Sequence, residues 1–241
     1  MLRQIIIRFL VISFSVWIIS ATDALDNPKI YSKDNVLAAG DYNNQPASSD
    51  LTLIIKIVAG GKTVMDEGSD LVYILPQNDI KGWNELNFDD SGWTVGKSSV
   101  GYSDNDDNTT IQGPIPSIYT RYRFDIPNAN SVKELEFLLD YDDAYILWLN
   151  GVEIARTPVL NNIAPGGVPG WNETMNKITD HEATILPAGK PNADRWKKPV
   201  GWAHNQLGQH VIQVDFGGAS AMLVEPAGKL AVTWGNVKLI R

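Results

Sequence analysis

Cysteine is absent from this chain of 241 residues. A chain without thiols has no disulfide framework, no thiol nucleophile and no lipidated cysteine behind a leader. Histidine is scarce: His181, His204 and His210 are scattered, and His181-Glu182 lacks the second histidine of a zinc-protease helix. No Gly-x-Ser-x-Gly elbow or phosphate-binding P-loop occurs, and nothing assembles a nucleophile, a base and an orienting group. The expectation is therefore a protein that is not an enzyme. Cations are outnumbered, with 20 Lys and Arg against 28 Asp and Glu, a net charge of −8. Nucleic acid demands clustered cations against its phosphates, so no nucleic-acid partner is expected. Amphipathic helical periodicity is missing as well.

Long apolar runs are confined to the start. Arg3 and Arg8 flank three isoleucines, and residues 9–20 are uncharged and mostly apolar. A dozen residues is short of the roughly 20 that a membrane span needs. Small residues follow at Ala21 and Ala24. Residues 1–24 read as a secretory signal peptide, so the mature chain is expected in a secreted, periplasmic or extracellular setting with no membrane span. Residues 25–50 are rich in Asn, Asp and Ser and read as a leader or linker. Residues 51–241 read as a single domain, and a hydrophobic fraction of 44% is enough to give it a core.

What is present is alternation. Residues 134–156, ELEFLLDYDDAYILWLNGVEIAR, alternate apolar and polar, turn at Asp142-Asp143, alternate again and turn at Asn150-Gly151. Period two marks strands, and Asn-Gly marks a two-residue hairpin because both positions need positive φ. Residues 132–139 and 144–149 are expected to pair through a tight hairpin at Asp142-Asp143. In residues 118–126, Thr120, Tyr122, Phe124 and Ile126 share the face expected toward the core. Tyr119, Arg121, Arg123 and Asp125 share the opposite, polar face, and Pro127 ends the strand. Further strands are expected at 51–58, 71–75, 209–216 and 229–234. Residues 157–180 form a long irregular loop rich in Pro and Gly. The fold class is all-β, an antiparallel β-sandwich or jelly roll.

The order of the motifs carries more. Trp83 is followed by Phe88-Asp89-Asp90-Ser91-Gly92-Trp93, then Gly101-Tyr102-Ser103-Asp104, then Tyr119 to Phe124 as YTRYRF. Asp140-Tyr141-Asp142-Asp143 and Asn150-Gly151 complete the set. Together they resemble the galactose-binding-like jelly-roll modules of secreted bacterial glycoside hydrolases and surface proteins, over about residues 71–216. The resemblance implies a non-catalytic module that binds carbohydrate or a cell-surface glycan, and a fold of the kind that often carries a structural Ca²⁺.

Candidate sites follow from residue chemistry. Asp104, Asp106, Asp107 and Asn108 put hard oxygen donors within five residues, which suits Ca²⁺. The spacing begins like an EF-hand loop but lacks its sixth-position Gly and twelfth-position Glu. The alternative is a turn whose side chains bond their own backbone. Trp171, Trp196 and Trp202 lie in loop sequence and could stack on sugar rings or staple the loop down. Tyr102 and Arg121 complete the candidate ligand set, with Arg121 pairing to a carboxylate such as Asp140 or reaching a sugar hydroxyl. Asp89-Asp90 and Asp142-Asp143 read as turn carboxylates that point apart. A second role is open, as a structural or adhesion module contacting other surface proteins. The basic, alternating tail at 228–241 could then add a strand to this domain or to another chain.

Overall fold

The computed structural model describes residues 28–103, 107–157, 160, 163, 167–174, 210–216 and 238–240. The signal-peptide segment, Trp196, Trp202, Asp104, Asp106 and the strand expected at 229–234 lie outside the described residues. Among the described residues no helix is long and apolar enough to cross a membrane.

The molecule is an all-β sandwich. One sheet contains β1 (Asn35–Tyr42), β4 (Asp70–Ile74), β5 (Thr94–Lys97), β8 (Ser117–Phe124), β10 (Ala144–Leu149) and β11 (Val152–Arg156). Its spatial order is β11-β10-β1-β8-β4-β5. The other contains β2 (Leu51–Ala59), β6 (Val100–Tyr102), β7 (Thr109–Thr110), β9 (Glu134–Asp142), β12 (His210–Asp215) and β13 (Lys238–Ile240), in the order β13-β12-β9-β2-β6-β7. Strand β3 (Lys62–Met65) pairs with β2. Every pairing is antiparallel except β6 with β7.

Alternation fills the space between the sheets. Leu51, Leu53, Ile55 and Ile57 from β2 meet Leu37 and Ala39 from β1, Tyr122 and Phe124 from β8, and Leu135, Phe137 and Leu139 from β9. Each such side chain, once buried, contributes roughly 1.5–3 kcal/mol. The inward set expected for β8 is therefore correct. Asn150-Gly151 is also the hairpin expected, with φ of 51° and 87°, joining β10 to β11.

Two expectations are overturned. Residues 35–42, expected within a leader or linker, instead form β1, which lies between β8 and β10 with every residue buried. Because both of its faces are covered, no exposed polar period marks it. Small Ala38, Ala39 and Gly40 stand where neighbouring side chains need room; a Cβ on Gly40 would press on the ring of Tyr42. The second error is Asp142-Asp143. It is no hairpin, because β9 pairs with β2 and β12 while β10 pairs with β1 and β11. The chain crosses there from one sheet to the other. At the far end of the chain, β13 extends the sandwich by pairing with β12.

Candidate functional site

The polar face of β8 is the informative one, because it is not wet. Tyr119 and Arg121 are buried, at 1% and 0% exposure. Residues 80–93 lie over them, and Arg121 is what ties that loop down. Its Nε donates to Asp90 Oδ2 at 2.7 Å. Its Nη1 donates to the carbonyls of Trp83 and Glu85 at 2.6 and 2.9 Å, and its Nη2 to that of Leu86 at 3.3 Å. The guanidinium also lies 5.5 Å from the Phe88 ring centroid. Burial pushes Arg121 below its usual range, and Asp90 opposes that shift. Arg123, half exposed, reaches the same carboxylate at 2.8 Å. Burial alone would raise Asp90, but the hydrogen bonds and charges of Arg123 and Arg121 outweigh it and hold the carboxyl below the usual range.

Beneath the loop lies an aromatic cluster. Trp83 stacks on Tyr119 with ring centroids 4.1 Å apart and planes 5° apart. Trp148 meets Trp83 edge-on at 5.1 Å, and Phe88 meets Trp93 edge-on at 5.7 Å. Tyr42 joins through Tyr119 at 6.2 Å. Burial pushes the Tyr119 hydroxyl up to about 12.

A second arginine fixes the facing loop. Arg156 grips Glu153 with two hydrogen bonds, at 2.5 and 2.7 Å. It also donates to the carbonyls of Leu160, Ile163 and Gly167 at 3.4, 3.3 and 2.9 Å. Residues three apart on a strand should face opposite ways. Here a bulge at Ile154 puts Glu153 opposite Trp148 and Arg156 opposite Ile146, so both point to the outer face. Trp171 continues that loop. Its N–H donates to Asp79 Oδ1 at 2.9 Å, and its carbonyl accepts from the Ser117 hydroxyl at 2.5 Å.

Between the two tethered loops is a cleft of about 300 Å³. Asp79, Ile80, Lys81 and Gly82 line one wall, Val168, Pro169 and Gly170 the other, and Trp83 and Tyr119 the floor. The arrangement offers an apolar floor, exposed carboxylate and ammonium groups on the rim, and backbone groups on both walls. That is the general form of a small-molecule site.

The expected site residues fare unevenly. Trp171 borders the cleft, half-buried against the aromatic cluster, so it staples its loop and stands next to Gly170. Tyr102 is misassigned as a ligand residue. It is 5% exposed; its hydroxyl donates to the Ser48 carbonyl at 3.1 Å and accepts from Asn43 Nδ2 at 3.0 Å. Gly113 lies flat on its ring, where a Cβ would collide. Arg121 is likewise a loop anchor rather than a ligand contact, and its partner is Asp90 rather than Asp140. Asp89 caps its turn, its Oδ1 accepting from the Ser91 N–H at 3.1 Å, but Asp90 is the ion-pair hub.

Of the acidic-loop set, Asp107 is turned inward and 2% exposed, accepting from the Thr52 hydroxyl at 3.3 Å. Asn108 donates from Nδ2 to the Ser98 carbonyl at 2.8 Å. Among the described residues, no group of three or more His, Cys, Asp or Glu side chains could hold a metal ion. Sequence reasoning missed Glu153, Arg156, Asp79 and Lys81. Only the polarity of Glu153 and Arg156 inside a strand hinted at them. Comparison with known proteins finds no matching family model, curated protein or solved structure.

Proposed function

We propose that this chain is an exported, non-catalytic binding module of the galactose-binding-like jelly-roll kind. Its ligand is a carbohydrate or cell-surface glycan held in the cleft over Trp83 and Tyr119. The observation that carries the reading is the cleft itself: about 300 Å³ above a buried aromatic base, with Ile80, Val168 and Pro169 on its walls and Asp79 and Lys81 on its rim. Sugars present apolar C–H faces and polar hydroxyl edges; Ile80, Val168 and Pro169 offer the apolar surface and Asp79, Lys81 and the backbone of both walls the polar groups, while Trp83 and Tyr119 are the buried base beneath. Both walls are fixed by buried arginines, so little ordering entropy is lost on binding. A single shallow site of this size binds weakly, with Kd on the order of 1 μM to 1 mM. Ca²⁺ on the acidic loop belongs to the same proposal, with Asp107 and Asn108 as its described members.

The test is a glycan array followed by titration of intrinsic Trp fluorescence with the hits. Lys81→Ala should weaken binding about tenfold while leaving the melting temperature in place, because Lys81 is exposed. If no glycan binds the folded chain, the carbohydrate reading fails. The second reading is a protein-contact module, favoured by Val95. It is 74% exposed on β5, an edge strand of the six-stranded sheet.

A further inference from the structure

Strand β1 carries a single carboxyl, and it is dry. Leu37 and Ala39 pack in the inter-sheet core, and Asp41 follows them at the period of two. It is 0% exposed and lies between two paired strands, opposite Ile118 of β8 and Tyr145 of β10. Neither of its carboxylate oxygens has a hydrogen-bond partner.

The groups around it bring no positive charge. Tyr145 of β10, Tyr122 of β8, Tyr141 of β9 and Tyr102 of β6 belong to the same inter-sheet core, and β2 presents Leu51 and Leu53 to it. Asp143, at the crossing into β10, acts on Asp41 as a like charge. The two buried guanidinia among the described residues, Arg121 and Arg156, are on the outer face of the other strands and bonded to Asp90 and Glu153. Burial first and Asp143 second push the Asp41 carboxyl well above its ordinary range. The Tyr42 amide opposes that shift but makes no hydrogen bond to the carboxylate.

A buried carboxylate with neither a cation nor a donor beside it costs far more than a buried neutral acid. We infer that Asp41 is held as a neutral carboxylic acid and acts as a pH-sensitive latch on β1: when its proton is lost to water, the end of the strand from Gly40 to Asn43 parts from β10 and lets solvent in. The charge itself drives the opening, because the ionised group is stable only when hydrated. Tyr42 stands on the other face of the same strand, 6.2 Å from Tyr119 at the base of the cleft, so the movement loosens that base as well. The latch does not depend on the glycan reading. In the unfolded chain Asp41 loses its proton near pH 4, whereas in the fold it keeps it. Stability therefore falls as pH rises from about 4 through the folded value.

The test compares the full chain with Asp41→Asn, which keeps the shape and removes the titration. In urea with EDTA, the folding equilibrium constant of the variant relative to the parent should rise by up to about tenfold per pH unit, and by at least about tenfold in all between pH 5 and pH 7. Amide exchange, corrected for its intrinsic rate, should show residues 40–43 and 144–146 losing protection from pH 5 to pH 8 in the parent and keeping it in the variant. Parallel curves for the two chains overturn the inference, as does a loss of protection spread evenly over both sheets. CaCl₂ in place of EDTA should leave the difference between the chains unchanged. If it erases the difference, a cation rather than a proton is the partner of Asp41 and the inference fails. If Asp41→Asn does not fold, the infrared spectrum of the parent at pH 6 decides, because carboxyls of ordinary pKa are ionised there. A carboxylic-acid C=O band supports the latch, and its absence overturns it.

Discussion

The two faces of β8 differ in polarity, yet both are buried around its centre. Tyr122 and Phe124 point into an apolar interior, as alternation requires. Tyr119 and Arg121 point the other way and are just as dry. The inner face is covered by a second sheet, the outer one by a loop that Arg121 holds in place. Arg121 and Arg123 repeat the contrast two residues apart. They share one carboxylate, yet the first is fully buried with carbonyl partners and the second is half exposed. A polar residue on a strand therefore marks either water or an anchor, and only the surroundings decide which.

That contrast can be broken at its strongest point. Arg121→Ala leaves Asp90 buried beside one exposed partner and takes a donor from each of three carbonyls, of which that of Glu85 keeps the Phe88 N–H. It should cost roughly 3–5 kcal/mol by urea unfolding. Arg121→Lys should recover little, because an ammonium cannot reproduce the planar fork. Trp83→Ala, which empties the centre of the aromatic cluster, should cost a similar 3–5 kcal/mol. A cost below about 1 kcal/mol would mean that the loop is not packed as described.

Acid sharpens the comparison. Asp90 has a folded pKa below its unfolded value, so its contribution is present above the ordinary aspartate range. It is lost as pH falls from about 4 through the lower folded value. Urea midpoints measured from pH 5 down to pH 2 should fall less steeply for Asp90→Asn than for the parent, from a lower starting point. The smallest effect belongs to Arg123→Ala, at roughly 0.2–1 kcal/mol, because a half-exposed ion pair is screened by water.

Much of the frame was legible in the residues. The inward set of β8 and the Asn150-Gly151 hairpin are local patterns, and local patterns survive folding. Strand β1 was illegible because burial on both faces removes the polar half of the alternation. The crossing at Asp142-Asp143 was misread because two strands joined by a short turn look the same whether they pair or part. The cleft was hardest. Its walls come from residues 79–82 and 168–170, about 90 positions apart by the hydrogen bond that joins Asp79 to Trp171. Arg121 was noticed, but nothing near it in sequence pointed to Asp90 rather than Asp140. Tyr102 stands in a motif next to the acidic loop, but its contacts are with Asn43 and Ser48 from far upstream.

Hydroxyl-radical footprinting of the native chain, read by mass spectrometry, tests most directly whether the outer face of β8 is sealed and forms the floor of a cleft. Tyr119 and Trp83 should be as unreactive as Tyr122, while Tyr31, at 44% exposure, should be readily modified. Tyr119 reacting at the rate of Tyr31 would contradict the account.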